Sequence, residues 1–277
     1  MYLTDEQAND YNLVRRVAEQ VVHAPVYSVK RLESGRAAYT YEIDNHLIFK
    51  LPNNRTSVSA WQTRSQMAHV LQDSLSYRIP QPYVQPVFLS ANTKDELAAF
   101  YYEKIPGKTL PFAQKFSKTS PRFRTHFFEQ VADFAVQLHA IPLDKLSVRP
   151  PSINSVLTKI FLTKSKTPFI EKLFTSASHW PLIGCRPISD DVLCHRDLHP
   201  GNICLDNRGN VTGILDFDLM CTGERFVEFY PHLYKDPKDQ KFFQEIYTEQ
   251  SGVSLSQKDI NRLRSLRFLN ALHFFSE

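Results

Sequence analysis

The stretch His195-Arg196-Asp197-Leu198-His199-Pro200-Gly201-Asn202 is followed, fourteen residues after Asn202, by Asp216 within Ile214-Leu215-Asp216-Phe217-Asp218. Short apolar runs flank both parts. Val192–Cys194 precedes the loop, and Ile203–Asp206 and Val211–Leu215 lie between Asn202 and Asp216, joined by the turn Asn207-Arg208-Gly209-Asn210. A loop held between strands can aim Asp197 at an incoming hydroxyl while Asn202, five residues on, turns back. The strand pair then returns Asp216 beside Asn202. Asn and Asp oxygens suit Mg²⁺, a hard ion that keeps several waters and shares its site with phosphates. An isolated His-x-Asp is common, and a polar turn that caps local backbone groups accounts for one. It accounts poorly for the complete loop plus Asp216 at this interval.

The pattern matches the H-R-D-L-x-x-x-N catalytic loop of kinases with its metal-binding Asp after a short strand. The fuller wording, Leu193-Cys194-His195-Arg196-Asp197-Leu198-His199-Pro200-Gly201-Asn202-Ile203 and Gly213-Ile214-Leu215-Asp216-Phe217-Asp218, resembles the aminoglycoside phosphotransferase and choline kinase family. Leu138-His139-Ala140-Ile141-Pro142 is similar to that family's Leu-His helix end, and Tyr102-Glu103-Lys104-Ile105-Pro106-Gly107 to its hinge. The resemblance covers roughly residues 25–235. It implies an α+β, bilobal, protein-kinase-like fold with a small antiparallel-sheet N-terminal lobe, residues 1–104, and a mainly helical C-terminal lobe, residues 105–277. It implies ATP or GTP with Mg²⁺, and transfer of the γ-phosphate to a hydroxyl of an aminoglycoside-, choline- or sugar-like molecule. Asp197 is then the catalytic residue, and Asn202 and Asp216 are the metal ligands. Lys50, in Leu47-Ile48-Phe49-Lys50-Leu51, holds the inner phosphates. Ser34 and Gly35 bring backbone N–H groups near them, and Tyr102, Glu103 and Ile105 lie against the base.

His195 and Arg196 read as structural, the former bonding backbone around Asp216 and the latter pairing with an acid such as Glu228. His199 either stabilises the loop or touches a phosphate, and Asp218 is a possible second metal ligand or substrate contact. Two features depart from the family. The helix expected over Val58–Ser74 contains no Glu to pair with Lys50, leaving Gln62, Gln66 and Asp73, or Glu96 from outside it. The family's Gly-Asp-x-x-x-Asp-like stretch is here Gly223-Glu224-Arg225-Phe226-Val227-Glu228. The missing Glu, together with a Ser34-Gly35 loop far poorer in glycine than G-x-G-x-x-G, keeps open a second reading, a degenerate nucleotide-binding pseudokinase that regulates a partner. Asp216-Phe217-Asp218 is followed by no Ala-Pro-Glu, which leaves little room for a peptide-docking platform.

The rest of the chain supplies the scaffold. Thr4 and Gln7 suggest a capping box, with Tyr11, Val14, Ala18 and Val21 as the buried stripe of one first helix. Strands are expected over Tyr27–Glu33, Ala37–Asp44, His46–Leu51, Val84–Leu89 and Leu97–Glu103, and an amphipathic helix over Thr125–Ala140. From Glu224 to Phe275 two or three helices are expected.

With 277 residues, 42% of them hydrophobic, the chain falls in the globular class. It has no apolar run long enough to span a membrane, and its polar first residues do not read as a secretion signal. The net charge of +4 is too weak to argue for nucleic acid. The run Arg262-Leu263-Arg264-Ser265-Leu266-Arg267 reads as a solvated face. Cys185, Cys194, Cys204 and Cys221 form no CxxC pair and read as reduced thiols of a cytoplasmic protein. Cys194, His195, His199 and Cys204 are zinc-ligand types without the paired spacings of a structural zinc site. Glu224, Glu228, Asp236 and Asp239 are the one acidic candidate for attracting a cationic substrate. The partner expected is a small hydroxylated molecule, with neither nucleic acid nor membrane; the oligomeric state is unreadable.

Overall fold

The computed structural model describes residues 2–32, 38–53, 58–89, 96–110, 118–146, 148, 150, 191–225, 228 and 237–254. The chain divides into two compact units, residues 1–73 with 78–106 and residues 74–77 with 107–277. Ser34, Gly35, Cys185, Asp236 and the Arg262–Arg267 run lie outside the described residues.

The first unit begins with the expected capping box: Thr4 Oγ1 accepts from the Gln7 N–H at 3.2 Å and Gln7 Oε1 from the Thr4 N–H at 3.0 Å. The sequence suggested one helix; the structure has two, α1 (Asp5–Asn9) and α2 (Tyr11–Val22). Asp10 divides them. Its backbone is extended, its N–H closes α1 on Gln7 O, and its carboxylate accepts the N–H groups of Asn12 and Leu13. The break also rotates the stripe. Leu13, Val14, Val17, Ala18 and Val21 are buried, whereas Tyr11 is 45% exposed.

Strands β1 (Val29–Arg31), β2 (Ala38–Ile43), β3 (Leu47–Pro52), β4 (Tyr83–Phe88) and β5 (Glu96–Glu103) form one antiparallel sheet in the order β1-β2-β3-β5-β4. The β2–β3 turn places Asp44 and Asn45 at φ 48° and 60°, the left-handed pair that suits the sheet's twist. Asp44 Oδ1 also accepts the backbone N–H groups of Tyr27 and Ser28. Alternation sorts the side chains. Tyr39, Tyr41, Ile43, Phe49, Leu51, Leu97 and Ala99 pack with α1 and α2 on one face. Ala38, Ile48, Ala98, Phe100 and Tyr102 share the other face with Trp61 of α3 (Val58–Gln72).

In the second unit α4 (Pro121–His139) starts four residues earlier than expected, because Ser120 caps it and Pro121 occupies its first turn. Phe127, Phe128, Val131, Phe134, Ala135 and Leu138 are buried along it. The last described helix, α5 (Pro237–Ser251), packs against α4, with the Phe243 ring stacked at 5.7 Å on Phe128. Five short strands carry the polar loops. β6 (Lys108–Thr109), β8 (Ile203–Leu205) and β9 (Val211–Ile214) form one antiparallel ladder, and β7 (Asp191–Cys194) pairs with β10 (Cys221–Glu224). β6 and β10 have no apolar alternation to announce them. Gly107 admits β6: its φ is 122°, and a Cβ there would lie 2.8 Å from Leu205 O.

Candidate active site

The catalytic-type loop leaves β7 at Cys194 and re-enters the sheet at β8, and each turn of it is tied down. His195 Nδ1 accepts the Asp197 N–H at 3.1 Å, which leaves the ring proton on Nε2 to be donated to Leu215 O at 2.9 Å. That is the structural role expected of His195, since Leu215 directly precedes Asp216. The Leu215 N–H donates to Asn202 O at 2.7 Å and continues the β8–β9 ladder, which brings Asp216 next to Asn202. Arg196 and Asp216 both take left-handed backbone, at φ 70° and 61°. Two such residues in one small region signal a constrained site. Phe217 braces it from below, with its ring 4.5 Å from His195 and 6.3 Å from Phe134 of α4. Sequence reasoning assigned Phe217 nothing; its only signal was an aromatic residue directly after Asp216.

Asn202 ties the loop together. Its Nδ2 donates to both Asp197 O and Asp197 Oδ2, each at 2.9 Å. The amide nitrogen therefore faces Asp197, and Oδ1 faces the other way as the acceptor. Asp216 Oδ1 accepts the Asp218 N–H at 3.4 Å, a weak bond that leaves the carboxylate with most of its acceptor capacity. An amide oxygen and a carboxylate are the kind of hard oxygen donors that fit Mg²⁺. His199 Nδ1 accepts the Gly201 N–H at 3.0 Å, and its Nε2 lies 3.7 Å from Asp197 Oδ2. Burial pushes the His199 pKa down, against the opposing pull of Asp197 and Asp216, which favours the neutral ring.

Below the loop Glu228 is fully buried. It meets Arg196, but not through the guanidinium pairing the sequence suggested. Its Oε1 accepts the His195 N–H in a short hydrogen bond, and Oε2 accepts the Arg196 N–H at 2.9 Å. His139, from the Leu-His end of α4, faces it with Nε2 at 3.8 Å from Oε1, and Tyr247 of α5 bonds His139 Nδ1 at 2.7 Å. Burial works to raise the Glu228 pKa; His139, His195 and the Arg196 N–H outweigh it and hold the carboxyl below its ordinary value. Such a group stabilises the fold fully at neutral pH and loses its contribution as pH falls through the depressed value. Glu228→Gln removes a charged acceptor from two backbone N–H groups and should cost about 2–4 kcal/mol. Denaturant titration at neutral pH reads that loss, which should shrink as the pH is lowered.

Glu228 is thus not a substrate-facing acid. Asp239 is buried too, 4.0 Å from the Arg124 Nε. The acidic substrate patch expected from Glu224, Glu228, Asp236 and Asp239 is corrected accordingly, because two of its members serve the interior. Cys194, Cys204 and Cys221 are buried free thiols. Burial raises Cys194 well above the ordinary thiol value and Cys221 to about 12, so both stay protonated at neutral pH.

In the first unit Lys50 lies on β3, in register with Thr40 of β2 and Phe100 of β5. It belongs to the sheet face lined by Ala38, Ile48, Phe100 and Tyr102, and its Nζ sits 5.8 Å from the Phe100 ring centroid. Gln62 and Gln66 are exposed on α3, and Asp73 lies past its end. In the hinge-like segment Tyr102 and Ile105 are buried and Glu103 is exposed. Lys104 donates its N–H to His46 O at 2.7 Å and its ammonium to Glu42 at 2.8 Å.

A family model described as the phosphotransferase enzyme family matches residues 28–266. Among solved structures, the GDP complex of aminoglycoside 2'-phosphotransferase-IIIa superposes with a TM-score of 0.73 at 16% identity, covering 97% of this chain and 91% of that one. The streptomycin–ATP ternary complex of APH(2")-IIa gives 0.66 at 16% identity, covering 96% and 89%. Macrolide 2'-phosphotransferase type I gives 0.65 at 15%, covering 98% and 91%. At these identities the likeness is one of fold, and that fold is the protein-kinase-like α+β architecture that the family resemblance implied.

Proposed function

We propose that this chain, which belongs to the phosphotransferase enzyme family, transfers the γ-phosphate of ATP or GTP to a hydroxyl of a small molecule. Residues 1–104 are assigned to the nucleotide and residues 105–277 to catalysis and the acceptor. The observation that supports the reading is the Asp197–Asn202–Leu215 connection: the Leu215 N–H donates to Asn202 O at 2.7 Å, and Asn202 Nδ2 donates to Asp197 O and Oδ2 at 2.9 Å each, which ties the loop to the strand that leads into Asp216. Phosphoryl transfer asks for little covalent work from the protein, so positioning and charge neutralisation dominate.

In this reading Asp197 orients the acceptor hydroxyl and takes its proton. Asn202 Oδ1 and the Asp216 carboxylate hold Mg²⁺, which when bound neutralises the charge of the phosphates. Lys50 holds the inner phosphates, Tyr102, Glu103 and Ile105 lie along the base, and Ser34 and Gly35 offer backbone N–H groups to the phosphates. The acceptor is aminoglycoside-, choline- or sugar-like. The related folds that act on aminoglycosides and a macrolide support a polyhydroxylated compound without selecting one.

Lys50→Ala should raise the KM for ATP by about tenfold or more, with a smaller fall in kcat. Steady-state kinetics with varied nucleotide separates the two. One second reading rests on the sequence of α3, which carries no Glu: a regulator that binds nucleotide without transferring phosphate. A screen of hydroxyl compounds with ATP and GTP in Mg²⁺ tests both. ADP or GDP release coupled to a phosphorylated acceptor supports the enzyme; nucleotide binding without release supports the regulator.

A further inference from the structure

We infer that His199 is a positioning residue for Asp197, fixing which oxygen of that carboxylate receives the acceptor's proton. The inference rests on the phosphotransferase reading and deepens it.

Contacts within the loop place the ring. The Gly201 N–H is donated to Nδ1 at 3.0 Å, so Nδ1 carries a lone pair and the proton of the neutral ring sits on Nε2. Nε2 lies 3.7 Å from Asp197 Oδ2. Gly201 keeps the ring in this seat, because a Cβ there would come within 2.7 Å of His199 Cε1 and 2.9 Å of Nδ1. The same Oδ2 already accepts from Asn202 Nδ2 at 2.9 Å. Two neutral N–H groups thus face one oxygen of Asp197 and leave Oδ1 to the acceptor. The 3.7 Å separation is longer than a hydrogen bond, and contacts of this kind commonly tighten only when substrate is present. During transfer the acceptor oxygen bonds the γ-phosphorus, the bond to the β-phosphate oxygen breaks, ADP leaves, and the hydroxyl proton passes to Asp197 Oδ1. Rotation of the carboxylate out of this plane would break the contacts at Oδ2 and turn Oδ1 off the acceptor, and His199 opposes that rotation.

The bland alternative is that His199 merely caps the Gly201 N–H. Two substitutions separate the roles. In His199→Asn the amide oxygen replaces Nδ1 and keeps the cap, but nothing reaches Asp197. In His199→Gln the amide nitrogen reaches the place of Nε2 and restores a donor. The inference predicts that H199N lowers kcat about tenfold, with KM values changed less than about twofold and an unchanged thermal midpoint, and that H199Q recovers kcat to within about threefold of wild type. H199N as active as wild type, or more active than H199Q, overturns it. Should both variants unfold, proton and nitrogen NMR of the wild-type protein with labelled histidine, nucleotide and acceptor decides: an Nε2 proton hydrogen-bonded to a carboxylate and protected from solvent exchange supports the assignment, and a ring protonated at Nδ1, or an Nε2 proton exchanging freely with water, overturns it. The two failures are distinguishable. Wild-type protein that phosphorylates no acceptor removes the phosphotransferase reading and this inference with it, whereas transfer indifferent to H199N removes the inference alone.

Discussion

Asp197→Asn should lower phosphoryl transfer about a thousandfold, the scale on which a positioned general base acts, while nucleotide affinity changes less than about twofold. The substitution is nearly isosteric. Its side-chain oxygen can still accept from Asn202 Nδ2, as Asp197 Oδ2 does at 2.9 Å, and the loop keeps its backbone ties to His195 and His199. What disappears is a carboxylate able to take a proton. Turnover of the variant under saturating substrates, beside nucleotide binding by calorimetry, checks the split. Transfer at a rate comparable to wild type would remove Asp197 from the catalytic role.

Asp216→Asn should weaken Mg²⁺ binding and raise the Mg²⁺ requirement of the reaction, with activity about a hundredfold or more down at ordinary Mg²⁺ and partly restored as Mg²⁺ is raised. Asn is the informative replacement. Asp216 sits at φ 61°, which Asn tolerates, and an amide oxygen can still accept from the Asp218 N–H. The substitution therefore removes charge at the metal site and leaves the turn standing. A Mg²⁺ titration of turnover reads the change, and an unchanged Mg²⁺ requirement contradicts the assignment.

How far the chain could be read in advance depended on whether a feature was local. The spacing from His195 to Asp216 was legible because ladder geometry translates sequence interval into position: β8 and β9 are three and four residues long, and their pairing brings Asp216 back to Asn202. The first sheet strands were legible from their β-branched and aromatic residues, and the β2–β3 turn from Asp44-Asn45. The division at Asp10 was not, since an Asp inside a helical period gives no sign that it will cap one helix and end another. β6 and β10 were missed for a different reason: their pairing depends on backbone groups, and Lys108-Thr109 and Cys221-Thr222-Gly223-Glu224 show no face.

The site divides in the same way. Asp197, Asn202 and Asp216 were named from their interval, and His195 was correctly given the backbone near Asp216. Glu228 was misread in detail. Sequence pairs an acid with the nearest cation, Arg196, but burial leaves the backbone N–H groups of His195 and Arg196 as the donors that most need an acceptor. The convergence of His139 and Tyr247 on the same carboxylate joins positions more than a hundred residues apart. No local pattern announces it.

The central claim is that Asp197, Asn202 and Asp216 form one Mg²⁺-dependent centre for moving phosphate to an alcohol. Phosphorus NMR of the wild-type protein with ATP, Mg²⁺ and a panel of polyhydroxylated compounds tests it most directly. The account predicts a new phosphate monoester resonance that grows in step with ADP and is absent when Mg²⁺ is chelated. ATP left intact beside every acceptor, or ADP formed with inorganic phosphate alone, contradicts it.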